Sequence, residues 1–340
     1  MRMTRLSFCS AMVLVLAGIL PASAQAHWDV LKTFPVGGEG GWDYVTVDAP
    51  GHRLFVTRST HTLAVDTASG QVLADIPGQI RSHGVALAPK LGRGFITDGG
   101  GSGAILVFDT KTYKVLGRIP AMPDADGIIY DAKQGRVLAV SADGNALMTF
   151  APEIDPKDGK IDPPIDLGGA PEFLAADGTG KVYVNLEDKD MVAVVDLPTR
   201  KVIARWPVAP GGHPVGMAID PARHLLFVGC RNPQKIIVMD TENGQVKAVL
   251  PIGSGNDAVR FYGGQIFASC RDGSLTVAGE KAGNFEVEQT VKTLEGARTM
   301  GLDPSSQEIF LPTAQFEPAA QGGRPKMKPD TFEILVLKGR

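Results

Sequence analysis

A short apolar run preceded by a polar pair recurs along the chain at a nearly fixed period. Its copies read WDYVTVD, SHGVALA, ADGIIYD, PEFLAAD, PVGMAID, NDAVRFY and ARTMGLD, with Asp43, His83, Asp126, Glu172, Val215, Asp257 and Arg298 in second place. Successive members are 40, 43, 46, 43, 42 and 41 residues apart. A self-similar period of this length, filled with short β-type runs, marks stacked units that bury their faces against one another. Seven copies predict seven such units.

Each unit holds more than one strand. After the first run comes a second (LFVTRS, GFITDG, VYVNLE, LFVGCR, IFASCR) and a third (TLAVDT, AILVFD, VAVVDL, IIVMDT). A fourth often has the form V-x-x-x-apolar-Pro, as in VLADIP, VLGRIP, VIARWP and VKAVLP. Val, Ile and Phe in short runs punctuated by Gly, Asp and Asn describe antiparallel hairpins. The expected fold class is all-β: a seven-bladed β-propeller of four-stranded antiparallel blades. The chain ends on EILVLKGR, a third run with no fourth behind it, whereas VLKTFP near the start has the fourth-run pattern. The N-terminal strand is therefore expected to join the last blade and close the ring, satisfying a sheet edge that would otherwise be exposed.

The runs VYVNLE and LFVTRS, with first-run endings such as AIDPARHLLFV and GLDPSSQEIF, resemble the YVTN-type β-propeller repeat proteins, close to the YncE-like group and akin to WD40-like repeats. The resemblance spans nearly all of the chain after its leader. It implies the propeller fold and an exported binding or surface protein; more distant relatives of this shape are lactonases, lyases or subunits of amine dehydrogenases. Because one fold hosts many activities, function has to be argued from the site.

The leader, MRMTRLSFCSAMVLVLAGILPASAQA, has a basic start, an apolar run and small residues at its end. This is the pattern of a secretory signal peptide, residues 1–26, with cleavage expected after Ala24 or Ala26. Residues 27–340 are then a single propeller domain, periplasmic or secreted, with no membrane span. Cys9 leaves with the leader, so Cys230 and Cys270, at matching places in FVGCR and FASCR, are the pair an oxidising compartment can bridge. Whether they do depends on distance, since blades fan apart.

With 34 basic and 37 acidic residues and no basic tract, the chain lacks the electrostatic footprint of a nucleic-acid binder. GGGSG at 99–103 is followed by no helix and is not a phosphate loop, and there is no haem-attachment motif. The acidic stretch 152–164 lacks the spacing of a calcium loop and reads as an insertion.

Chemistry concentrates at the repeat position already named. In a propeller the innermost strands start around one mouth of the channel, so equivalent residues form a ring. Six of its seven members are ionisable in a chain that is 21% charged. Asp43, His83, Asp126, Glu172 and Asp257, with His213 from the blade whose ring member is Val215, are the candidate metal ligands. Carboxylates with imidazole and no thiolate suit Ca²⁺, Mg²⁺, Mn²⁺ or Zn²⁺. His83 and Glu172 are the candidate acid–base pair, and Arg298 the anchor for a substrate carboxylate. The bland alternative is internal pairing, such as Asp257 with Arg298. Loops after the second strands add Arg58, Asp98, Asn185, Arg231 and Arg271 as candidate ligand-binding residues. The Pro/Gly-rich segment 315–330 lies on the same face, as a lid or as a plain loop.

These residues lead to three expectations. The first is an exported protein binding a small molecule at the polar mouth through a divalent metal. A metal-assisted lactone hydrolase or lyase acting at the same site is the second. The third is a scaffold for another exported protein.

Overall fold

A computed structural model describes residues 26–318 and 325–340. The expected signal peptide, apart from Ala26, lies outside the described residues. Those described form a β-propeller built from antiparallel sheets, most of them four-stranded. Among them, no helix is long and apolar enough to cross a membrane.

Strand β1 (Trp28–Pro35) pairs antiparallel with Glu333–Gly339, in a sheet completed by Glu308–Thr313 and Gly301–Asp303. The strand near the start of the chain thus lies outermost in the sheet of its last three, as the fourth-run pattern VLKTFP implies. Four further four-stranded sheets begin at Ala125, Pro171, Pro214 and Asn256, each in sequential order.

The remaining strands differ from expectation. β2 (Val45–Asp48), β3 (Arg53–Asp66), β4 (Val72–Ala88), β5 (Arg93–Asp98), β6 (Ala104–Asp109) and β7 (Val115–Pro120) form one six-stranded sheet. By hydrogen bonding there are therefore six sheets among the described residues, not seven. The reason is local: β3 carries both LFVTRS and TLAVDT, β4 carries both VLADIP and SHGVALA, and a Ser59–Ser82 pairing bridges them. This sheet is not flat. Phe55 of β3 and Phe108 of β6 have ring centroids 5.4 Å apart, whereas three strand spacings in a flat sheet would be roughly 14 Å. Both long strands turn in mid-run, at Ser59 (φ +57°) and Gly78 (φ +96°).

Seven hydrophobic clusters fill the spaces between layers. One of them unites Phe55, Ile76, Val85 and Leu106 from the two halves of the six-stranded sheet. Asp residues at strand ends supply the punctuation. Asp66, Asp109 and Asp240 accept hydrogen bonds from backbone N–H groups two residues on, which locks each hairpin turn. Cys230 and Cys270 are not bridged. Both are buried free thiols, and burial pushes each up to about 12. Cys230 faces an inter-sheet cluster with Tyr183 and Met217, which fixes its side chain within its own layer.

Trp28 shows what the first strand contributes. It is 1% exposed, meets Phe267 edge-on at 4.8 Å and donates its Nε1–H to Gln265 Oε1 at 2.9 Å. Trp28→Ala is expected to cost about 3–5 kcal/mol, read as a lower urea midpoint at unchanged slope. A loss below about 1 kcal/mol would show that this strand does not hold the last sheet to its neighbour.

Candidate functional site

In three of the seven repeats the innermost strands approach so closely that glycine (Gly84, Gly127 and Gly216) is required after the ring position. A Cβ on Gly84 would lie 2.8 Å from Ile128 Cγ2, and one on Gly127 would lie 2.7 Å from the Glu172 carbonyl oxygen. Buried polar side chains on the second strands then fix the ring backbone of the next unit. Thr57 Oγ1 donates to the His83 carbonyl at 2.7 Å, Thr97 Oγ1 to Asp126 at 2.6 Å, and Asn185 Nδ2 to Val215 at 2.8 Å. Ser269 Oγ donates to the Arg298 carbonyl at 2.5 Å. The recurring polar residue in FVT, FIT, YVN and FAS is therefore a register pin.

This construction brings all six ionisable ring residues to one cavity of about 600 Å³, together with Arg231 and Arg271. Val215 is buried at 1% exposure and contributes only its carbonyl to the Asn185 bond.

The acidic side of the cavity centres on His83. Its Nδ1 lies 2.7 Å from Asp43 Oδ2 and 3.3 Å from Asp126 Oδ1. One donor atom from each of Asp43, His83 and Asp126 falls within 4.8 Å of the others, close enough for a single ion. The other ring nitrogen, Nε2, is buried without a hydrogen-bond partner, and its nearest carboxylate is Asp124 Oδ1 at 4.0 Å. Asp126 Oδ1 is also buried and unsatisfied. Burial, followed by the neighbouring charge of Asp43, raises the Asp126 carboxyl well above the carboxylate range. Burial and Asp126 do the same to Glu172, and burial with Asp126 and Glu172 pushes the Tyr44 phenol up. Three neighbouring groups are thus disfavoured in their charged forms, first by burial and then by one another's negative charge.

The opposite side is neutralised. Asp257 pairs with both Arg231 and Arg298, so the expected Asp257–Arg298 pair is present. Arg231 also reaches Glu187 at 3.0 Å and Glu172 at 3.9 Å. Arg298 donates to the Trp42 carbonyl at 3.2 Å and lies over the Trp42 ring at 5.7 Å. Phe316 and Pro325, from the two described arms of the 315–330 segment, line the same cavity, and Phe316 bridges to Met327 as a short ribbon.

Four sequence candidates lie elsewhere. Arg58 is fully buried and donates to the carbonyls of Gly37, Gly38, Glu39 and Gly40, with its guanidinium 3.7 Å from the Phe332 ring centroid. Asp98 is buried and accepts from the Ile80, Arg81 and Gly100 amides and from Arg118. Burial acts to raise its carboxyl, but these bonds outweigh it and hold the group low. Asn185 is the register pin described above. His213 sits on the rim, 2.7 Å from Glu187 and about half exposed, outside the cavity lining. Arg58, Asp98 and Asn185 thus lie in second strands and not in the loops after them, and only His213 is a loop residue; each side chain is engaged by local structure. Tyr44 and Glu295, which line the cavity, were not among the sequence candidates, and two charged neighbours were missed as well. Asp124 sits two places before a ring member, where it pairs with Arg81, and Glu187 follows a second strand. Only the ring offset or the loop position could have pointed to them.

No family model matches the chain. The YncE proteins of Salmonella typhimurium and Salmonella typhi are each 33% identical to it over 107 residues, 30% of this chain and 26% of theirs. The match thus spans about a quarter of those relatives. A solved chain of Kuenenia stuttgartiensis hydrazine synthase superposes with a TM-score of 0.70 at 13% identity, covering 80% of this chain and 92% of that one. At that identity the likeness carries the propeller fold alone.

The raised carboxyls imply a definite pH dependence. Unfolded carboxylates ionise near pH 4, so above that pH the native state binds more protons than the unfolded one and stability falls as pH rises. In chelator-treated protein, Asp126→Asn is expected to raise the melting temperature by a few degrees at pH 7.5 and by less at pH 4. Parallel melting curves at the two pH values would show that the cluster is already compensated.

Proposed function

We propose that this protein binds an anionic small molecule at the polar mouth, through a divalent metal held by Asp43, His83 and Asp126. The observation that carries this reading is the meeting of three donor atoms at a partly buried point where Asp126 Oδ1 has no hydrogen-bond partner. A cation there would satisfy that oxygen and take the place of the proton between His83 and Asp43. Asp124 lies behind His83 Nε2, where an outer carboxylate orients a metal-bound imidazole. One nitrogen and two carboxylate oxygens favour Zn²⁺ or Mn²⁺ over Ca²⁺ or Mg²⁺, which prefer all-oxygen sites. A metal would supply a Lewis-acidic anchor for a ligand oxygen, and Arg231, Arg271 and Arg298 line the rest of the cavity.

A binding role is favoured over catalysis by His83, because its Nε2 is buried and Nδ1 faces carboxylates. The apolar leader supports export. We read the six-stranded sheet as two blades, which restores seven. The turns inside β3 and β4, and the cluster between the sheet's halves, support that division.

The test is calorimetric titration of chelator-stripped protein with Zn²⁺, Mn²⁺, Ca²⁺ and Mg²⁺. One equivalent is expected to bind, and binding should disappear in Asp43→Asn/Asp126→Asn. Metal at 100 times Kd should stabilise the wild type by about 2.7 kcal/mol. Absence of saturable binding, or equal binding by the double variant, would overturn the metal reading. Metal-dependent turnover of a lactone panel would move the assignment from binder to enzyme.

A further inference from the structure

The strands that carry the acidic ring continue to a second cavity, of about 650 Å³, at the other end of the channel. We propose that this opposite mouth is a separate site for an apolar molecule with one carboxylate, and that Arg260 receives the carboxylate.

The lining is chemically simple. Val47, Leu87, Ile128, Phe173, Met217 and Leu302 are typical of its wall, and Asp48 and Arg260 are its only charged residues. Asp48 is already engaged by Arg53 at 2.8 Å. Arg260 has no acidic partner among the described residues, and its one hydrogen bond runs from Nη1 to the adjacent Val259 carbonyl at 2.9 Å. Its guanidinium lies 5.5 Å from the centroid of the Phe173 ring, which packs at 5.1 Å on Tyr44. A guanidinium has five N–H donors, so most of this one's are left for a guest. Burial draws it down to about 10, which keeps it cationic at neutral pH.

An apolar wall around one cation whose charge has no protein counterpart matches a ligand of the opposite design, an alkyl or aryl chain ending in one carboxylate. The two-pronged guanidinium–carboxylate contact would fix the head, and burial of the chain would supply affinity that grows with length.

Octanoate is the probe, followed by calorimetry or ligand-observed NMR on the full chain. Wild type is expected to bind octanoate more tightly than butyrate, by about fourfold per added methylene, and at least about tenfold more tightly than 1-octanol. Arg260→Met, which keeps the stem but removes the charge, should weaken octanoate by about tenfold or more while leaving 1-octanol unchanged. Arg298→Gln, in the acidic mouth, should change neither. The idea is overturned if wild type does not bind octanoate, if octanoate and 1-octanol bind equally, or if Arg298→Gln rather than Arg260→Met abolishes binding. Should Arg260→Met fail to fold, the wild-type comparison of octanoate with 1-octanol still decides. Failure of metal binding at the other mouth would leave these outcomes unaffected, since the two sites share no side chain.

Discussion

Crowding at the axis is the constraint from which the rest of this molecule follows. The innermost strands pass so near one another that Gly84 and Gly127 have no room for a Cβ. His83 and Asp126 immediately precede these glycines, and their side chains share one cavity with the other ionisable ring residues. Thr57, Thr97, Asn185 and Ser269 hold the ring carbonyls in place from behind. The same repeated arrangement of inner strands and register pins places six ionisable groups around one cavity.

Those six do not form a uniform ring. Arg231 and Arg298 close on Asp257, which removes one carboxylate from the account and pins both guanidinium groups. The charge that remains, on Asp43, Asp126 and Glu172, has His83 as its near partner and Arg231 at the margin. An imidazole can offset one negative charge only when protonated. The neighbourhood responds by disfavouring ionisation at Asp126, Glu172 and Tyr44. In the proposed reading a divalent ion would relieve this in one step, which is why that reading puts the cation in the acidic half and not beside the arginines.

The ring was legible in the sequence because a fixed period puts equivalent residues at equivalent places, whatever their type. The closing strand was legible for the same reason, since VLKTFP matches the runs that end other units. Residues at the ends of the second runs do not inherit this rule. Arg58, Asp98 and Arg231 hold similar positions, yet the first grips four backbone carbonyls, the second is satisfied by backbone amides, and only the third faces the cavity. Which backbone groups near a strand end lack a partner is a property of the folded chain, invisible in a one-dimensional alignment. The sheet count fails for a related reason: one backbone pairing, Ser59 with Ser82, joins segments that the repeat separates.

The same strands present different chemistry at their two ends, and the boundary between them is aromatic. Tyr44 lines the acidic cavity, Phe173 lines the opposite one, their rings pack together, and the Arg260 guanidinium lies 5.5 Å from the Phe173 ring. Arg260 lines the opposite cavity and makes no ion pair with Asp126 or Glu172 among the described residues. The carboxyl groups of Asp43, Asp126 and Glu172 thus face one cavity and the Arg260 guanidinium the other. The axis therefore presents two pockets of different chemistry, which meet at the Tyr44–Phe173 contact.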